Sequence, residues 1–226
     1  MPSNRPRRRS QRAQLTRSAP RSPKASPGTS GGGSDPSHRA AQRVLEALAE
    51  RGLLLKQDKE LPNVVTLLTG QSLRTSWWSH PRAHLIFAAL THLARHPDVL
   101  FTKLLYGKVT LLHRRLWPSF LAVASAREAW QVRVLQASAR SLLQAVERTG
   151  SVRASGPAVR ELERRLLVHT EEVHTESGRH EILLLPWLTW SRRVGCKPLP
   201  SRARARGTLE AATRGLGAPL TALPWS

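Results

Sequence analysis

Val44, Leu45 and Leu48 recur at helical spacing between Asp35 or Ser37, either of which can cap a helix, and Gly52, which can end one; this predicts a helix over residues 38–51. A shorter helix is predicted over 62–69, with Pro62 early in its first turn. After Ser76-Trp77-Trp78-Ser79-His80-Pro81, a helix from Pro81 to Arg95 places Ile86, Leu90, Leu93 and Ala94 on one face, and His96-Pro97-Asp98 stops it. The run VLFTKLLYGKVTLLH over 99–113 is rich in aliphatic and β-branched residues and breaks at Tyr106-Gly107, which predicts a β-hairpin with a two-residue turn. Such a turn sets Leu104 opposite Val109 and Thr102 opposite Leu111. A helix from Pro118 to Trp130 follows.

A second block starts near Ser138. A helix over 138–148, with Leu142, Leu143 and Val146 on one side, ends at Gly150. An extended piece follows over 151–154, then a helix from Pro157 to Leu167, and then a hairpin over 168–185 turning at Ser177-Gly178. That hairpin pairs Val173 with Ile182 and Glu176 with Arg179. The fold class expected is α+β: a helix-rich core with two β-hairpins, divided into blocks at 38–131 and 132–191.

The order of helix, short strand, helix and hairpin over 138–186 resembles a winged helix-turn-helix. The resemblance implies a recognition helix at 157–167 and a wing at 172–184. The family carries a further helix between the short strand and the recognition helix, where this chain has only Ala154-Ser155-Gly156. The core also resembles small uncharacterised bacterial proteins that share the stretches SWWSHP (76–81) and GKVTLLHRRLWP (107–118), and that resemblance implies no activity.

Charge changes the picture most. The chain holds 30 Arg and 6 Lys for a net charge of +21. Residues 1–37 carry eight basic residues and one acid, including the cluster Arg5-Pro6-Arg7-Arg8-Arg9, and are otherwise rich in Ser, Pro and Gly. Residues 192–226 carry seven basic residues and one acid, with the run Arg202-x-Arg204-x-Arg206. Both segments read as disordered basic tails: residues 1–37, with Leu15 the one large apolar residue besides Met1, cannot offset the entropy of ordering, and the C-terminal segment has prolines at 198, 200, 219 and 224, with Trp225 either docked on the core or exposed. A polyanion, nucleic acid first, is the natural partner, although a GC-rich genome also favours arginine codons. Cys196 is the only cysteine, which excludes an internal disulfide and a cysteine-based zinc site and fits a reducing, cytoplasmic setting. No apolar run reaches the roughly 20 residues of a membrane span, and residues 1–37 lack the apolar stretch of a secretory signal.

Four histidines, at 80, 84, 92 and 96, invite a metal reading. Steps of four residues drift about 40° each, so His80 and His96 lie about 160° apart around the axis, and no metal site is expected. In VHTEEVHTESGRH (168–180), strand geometry puts His169, Glu171 and Thr175 on one face with His180 joining across the hairpin, and His174 with Glu172 on the other. Two histidines and a glutamate on one face have the composition of a metal or acid/base site, or of an exposed polar hairpin. Aromatic faces stack on unpaired bases while Arg and Lys hold phosphates, and this singles out Trp77 and Trp78 among Arg74, Arg82, Lys103, Lys108, Arg114 and Arg115. Arg160 and Arg164 on the recognition-position helix complete the candidate set.

These features point to a non-enzymatic, cytoplasmic nucleic-acid-binding protein, with DNA ahead of RNA and no cofactor, metal or membrane partner. An enzyme acting on nucleic acid, with His80, His113 or His174 as acid/base, is the alternative. A module that binds another protein is the third reading. No P-loop, GxGxxG or Ser-His-Asp arrangement supports an enzyme.

Overall fold

Asp35 accepts the Ser37 amide at 3.1 Å and starts helix α1 (Pro36–Arg51), so Pro36 and Ser37, assigned above to the N-terminal tail, belong to the first turn. The computed structural model describes residues 35–174 and 180–226, and of residues 173, 174 and 180 the backbone alone. The turn expected at Ser177-Gly178, the Glu176–Arg179 pair and most of the N-terminal tail lie outside the described residues. Gly52, at φ 82°, ends α1 by returning its amide to the Leu48 carbonyl.

Leu53, Leu54 and Leu55, all fully buried, then form β1 (Leu53–Leu55), a strand absent from the sequence reading. Three consecutive leucines give no alternation for a periodicity argument to use. Helix α2 (Val64–Thr69) is capped by Asn63, whose side chain accepts the Thr66 amide at 2.9 Å, so Pro62 precedes the helix instead of sitting in its first turn. A 3-10 turn at Trp77–Ser79 leads to α3 (Ala83–Ala94), where Ile86, Ala89, Leu90 and Leu93 face inward and Ala94 is exposed.

Strands β2 (Val99–Thr102) and β3 (Thr110–His113) pair antiparallel, and β1 adds to the other edge of β3, giving the order β1-β3-β2. Tyr106-Gly107 makes the tight turn expected, with φ of 53° and 63°, closed by the Lys108 amide on the Leu105 carbonyl at 2.8 Å. The strands do not run into it. Thr102 pairs with Thr110, one residue away from the expected Leu111. Leu104 and Leu105 leave the ladder and bury completely, and the Thr110 hydroxyl accepts the Leu105 amide at 3.2 Å. A one-residue shift exchanges the faces of every residue on the strand.

Helix α4 (Trp117–Ala124) is buried along nearly its whole length. The expected continuous helix to Trp130 breaks at Arg127, at φ 55°, before a short α5 (Ala129–Val132). Gln131, fully buried, spans the break: its side chain accepts the Glu128 amide and donates to the Ala124 and Arg165 carbonyls.

The second block holds α6 (Ala137–Thr149), β4 (Val152–Ala154), α7 (Pro157–Arg164), β5 (His169–His174) and β6 (His180–Leu185), with the strand order β4-β6-β5. Leu143, Val146, Val159, Leu162 and Leu184 form its small core. The hairpin pairs Val173 with Glu181 and His174 with His180, again one residue off the expected Val173–Ile182. His180 therefore pairs with His174, in the alternate set of strand positions to His169 and Glu171.

The C-terminal chain overturns the expectation of a disordered tail over 192–226. Helices α8 (Trp187–Arg193) and α9 (Arg202–Gly215) return to the first block. Ala205, Leu209, Leu216, Ala222 and Leu223 bury there, with α9 packed on α4. Ser201 caps α9 by accepting the Arg204 amide at 3.3 Å. Trp225 docks half-buried, donating to Glu210 at 3.3 Å beneath the Arg206 guanidinium. The fold is α+β, with two hydrophobic clusters inside one compact unit, residues 34–226. Among the described residues no helix is long and apolar enough to cross a membrane.

Candidate nucleic-acid interface

Helix α7 starts abruptly because Gly156, at φ 100°, takes a backbone conformation that side chains disfavour and Pro157 follows at the first helical position. Val159 and Leu162 turn into the second core, leaving Pro157, Arg160 and Arg164 as the exposed stripe. The two acids of the helix are engaged inward. Glu161 accepts the Gln136 amide at 3.2 Å and lies 3.6 Å from Arg165. Glu163 takes Lys103 at 2.6 Å on one oxygen and the Thr170 hydroxyl at 2.9 Å on the other. Arg160 and Arg164 have no ion pair among the described residues. The Arg164 stem lies over Gly107, where a Cβ would come within 3.2 Å of its Cγ and Cδ. A cleft of about 520 Å³ flanks this arginine, lined also by Trp130, Gln136, Glu161 and Arg165.

The cations of the first block are placed differently. Lys103 is held by Glu163, and Lys108 by Asp58 at 2.7 Å. Burial would raise the Asp58 carboxyl, but Lys108 and the amides of Glu60 and Leu61 outweigh it and bring it down to about 2. Arg114 lies 3.6 Å from Asp98 and 5.9 Å over the Trp117 ring. Arg115 donates to the Glu50 carbonyl at 2.7 Å, closing the last turn of α1, and Arg82 donates to the Leu68 carbonyl at 3.0 Å in α2. Arg74 is exposed and lines, with Tyr106 and Lys108, a groove of about 590 Å³. The hairpin region is thus a set of cations already bonded to the protein. What the fold does bring together is Lys103 and α7, sixty residues apart in sequence.

The tryptophans divide just as clearly. Trp77 is buried, and Trp78, stacked on it at 3.9 Å and 25°, is 60% exposed. Phe87, half-exposed, sits 5.7 Å from Trp78. Trp117, Trp187 and Trp190 are buried core, and Trp130 meets Trp225 at 6.0 Å.

Three histidines serve as local caps. The Nδ1 atoms of His80, His96 and His113 accept the amides of Arg82, Asp98 and Arg115 at 3.1, 3.2 and 3.4 Å. Burial, reinforced by Arg115, pushes His113 below the ordinary histidine range. His92 meets the Ser37 hydroxyl at 3.3 Å and the His38 ring edge-on, so it is tied to α1 as well as exposed. The side chain of His174 lies outside what is described. Sequence reasoning missed the environment of His169, which is buried against Trp187 and Trp190 with Nε2 3.1 Å from Glu171. Burial keeps this imidazole below the ordinary range, while His169 and a two-pronged contact from Arg193 hold Glu171 at about 2. Arg193 belongs to α8, and no local pattern in the hairpin announces it. Among the described residues no three His, Cys, Asp or Glu side chains gather as a metal site. Compared with protein families, with curated proteins and with solved structures, the chain finds no match.

Proposed function

We propose that the protein binds nucleic acid without transforming it, and that the outward stripe of α7 is the contact. The observation that carries this reading is the asymmetry of that helix: Glu161 and Glu163 are bonded inward, while Arg160 and Arg164, one turn apart, stand in solvent. A helix of mixed composition therefore presents a cationic face. The wider charge agrees, since residues 1–34 carry eight basic residues and no acid, and residues 35–226 still carry 28 against 15. In the winged-helix reading, α7 takes the recognition position and the β5–β6 hairpin the wing. The departure noted in the sequence stands, because β4 ends at Ala154 and α7 begins at Pro157 with no helix between.

Each arginine would displace a counterion from the phosphate backbone, and the basic N-terminal cluster would add sequence-independent attraction. A helix enters the major groove of B-form DNA but not the narrow one of A-form RNA, which favours DNA. Of the three histidines weighed for catalysis, His80 and His113 use their Nδ1 lone pairs on backbone amides, and the His174 side chain lies outside the described residues. The test is binding of the full chain to a duplex DNA across a salt series. With Arg160→Ala and Arg164→Ala together, affinity should drop about tenfold or more and the log–log salt slope should become shallower by about two. The melting temperature should hold, since both side chains are exposed. A double variant that binds duplex as the parent does would remove α7 from the interface.

A further inference from the structure

We infer that Trp78 is a stacking platform for an unpaired nucleobase, a second contact separate from α7 that extends the nucleic-acid reading to single-stranded segments. Three observations carry it. The first is shape. The Ser76 cap and the 3-10 turn Trp77–Ser79 fix the two indoles, with the His80 amide on the Trp77 carbonyl at 3.1 Å. Trp77 is buried and supports one face of Trp78, so Trp78 is held flat without any contact from a ligand. A platform already in position pays little ordering entropy on binding.

The second is size. Trp78 and Phe87 are the two large hydrophobics exposed on this part of the surface; Tyr106, Val134 and Leu188 are exposed on other elements. Two half-exposed rings offer on the order of 200 Å² of apolar surface, against about 800 Å² per partner for a stable protein interface. That area suits one or two bases, not a protein face. The third is charge. Residues 61–97 contain Arg74, Arg82 and Arg95 and no Asp or Glu, so the segment that presents the platform is cationic along its length. Arg82 is anchored by one nitrogen to the Leu68 carbonyl, which holds its charge in a fixed place on this segment. Aromatic rings for bases with arginines for phosphates are the two components of a single-strand site.

The experiment uses the full chain with a fluorescent oligothymidylate, which forms no duplex, and a duplex DNA of equal length. Trp78→Ala should weaken oligothymidylate binding about tenfold and leave duplex binding unchanged. Trp78→Phe should restore most of the loss and Trp78→Leu should not, which separates stacking from apolar burial; melting temperatures of all three confirm the fold. Quenching of tryptophan fluorescence by oligothymidylate in the parent, diminished in Trp78→Phe, supports direct contact. Oligothymidylate affinity unchanged by Trp78→Ala overturns the proposal. So does a change from dimer to monomer in Trp78→Ala with single-strand affinity intact, which would assign the patch to a second copy of the chain. So does restoration by Trp78→Leu, or an equal loss for both nucleic acids. The inference rests on the reading of the protein as a nucleic-acid binder, but the two fail separately. The α7 contact stands or falls on Arg160 and Arg164 with duplex, and the platform on Trp78 with single strand.

Discussion

Lys103, just past the end of β2, and Arg164, at the end of α7, carry the same charge, yet the fold treats them oppositely. Lys103 is bonded to Glu163 with both side chains mostly buried, and its neighbours in the hairpin region are similarly engaged: Lys108 with Asp58, Arg115 with the end of α1. Arg164 rests its aliphatic stem on Gly107 and keeps its guanidinium in solvent, one turn from Arg160. The difference teaches that formal charge and available charge are separate quantities. A cation bonded inside the protein holds the structure together. A cation with no such partner is free to meet a phosphate at no cost to the fold. By this criterion Arg160 and Arg164 are available, while Lys103, Lys108 and Arg115 serve as fastenings.

The largest effect that would sharpen this contrast concerns Asp58. Its carboxyl sits at about 2, below an ordinary value near 3.8, so its contribution to stability is complete above about pH 4 and disappears as pH falls towards 2. Acid unfolding should therefore show a loss of about 2 kcal/mol over that interval which Asp58→Asn abolishes. An acid profile identical in the variant would show that the Asp58–Lys108 bond carries no stability. Next in size is Lys103→Met, which leaves Glu163 with the Thr170 hydroxyl alone. Chemical denaturation should show a loss of about 1–2 kcal/mol, with duplex DNA affinity unchanged. If affinity instead falls as far as in the Arg160/Arg164 double variant, the distinction between fastening and contact fails. The smallest effect belongs to Arg114→Ala. Its pairing with Asp98 is exposed on both sides, and stability should move by less than about 0.5 kcal/mol.

Much of the secondary structure was legible because its signals are local. Gly52 and Gly150 end α1 and α6 in the left-handed conformation that glycine tolerates, and Tyr106-Gly107 turns where the break in the pattern puts it. Both hairpin registers are off by one residue, because register also depends on what the chain does beside the turn. In the first hairpin Leu104 and Leu105 found more apolar surface off the ladder than on it. Helix α9 escaped notice because arginines separate its apolar residues, and Ala205 and Leu209 become a core face only against α4. The stripe of Arg160 and Arg164 was visible on the helix; that its acids were already engaged was not, since Lys103 lies sixty residues away.

The sequence by itself determined the presence of α1, α3, α6 and α7, the glycine ends of α1 and α6, the turn at Tyr106-Gly107, and that the molecule is strongly cationic. Those properties follow from backbone sterics, capping and composition within a few residues. Only the tertiary structure decided which cations remain free, which tryptophan faces solvent and where the C-terminal chain packs. Each of these depends on partners brought into contact from distant positions, and burial and charge pairing act on distance in space, not along the chain.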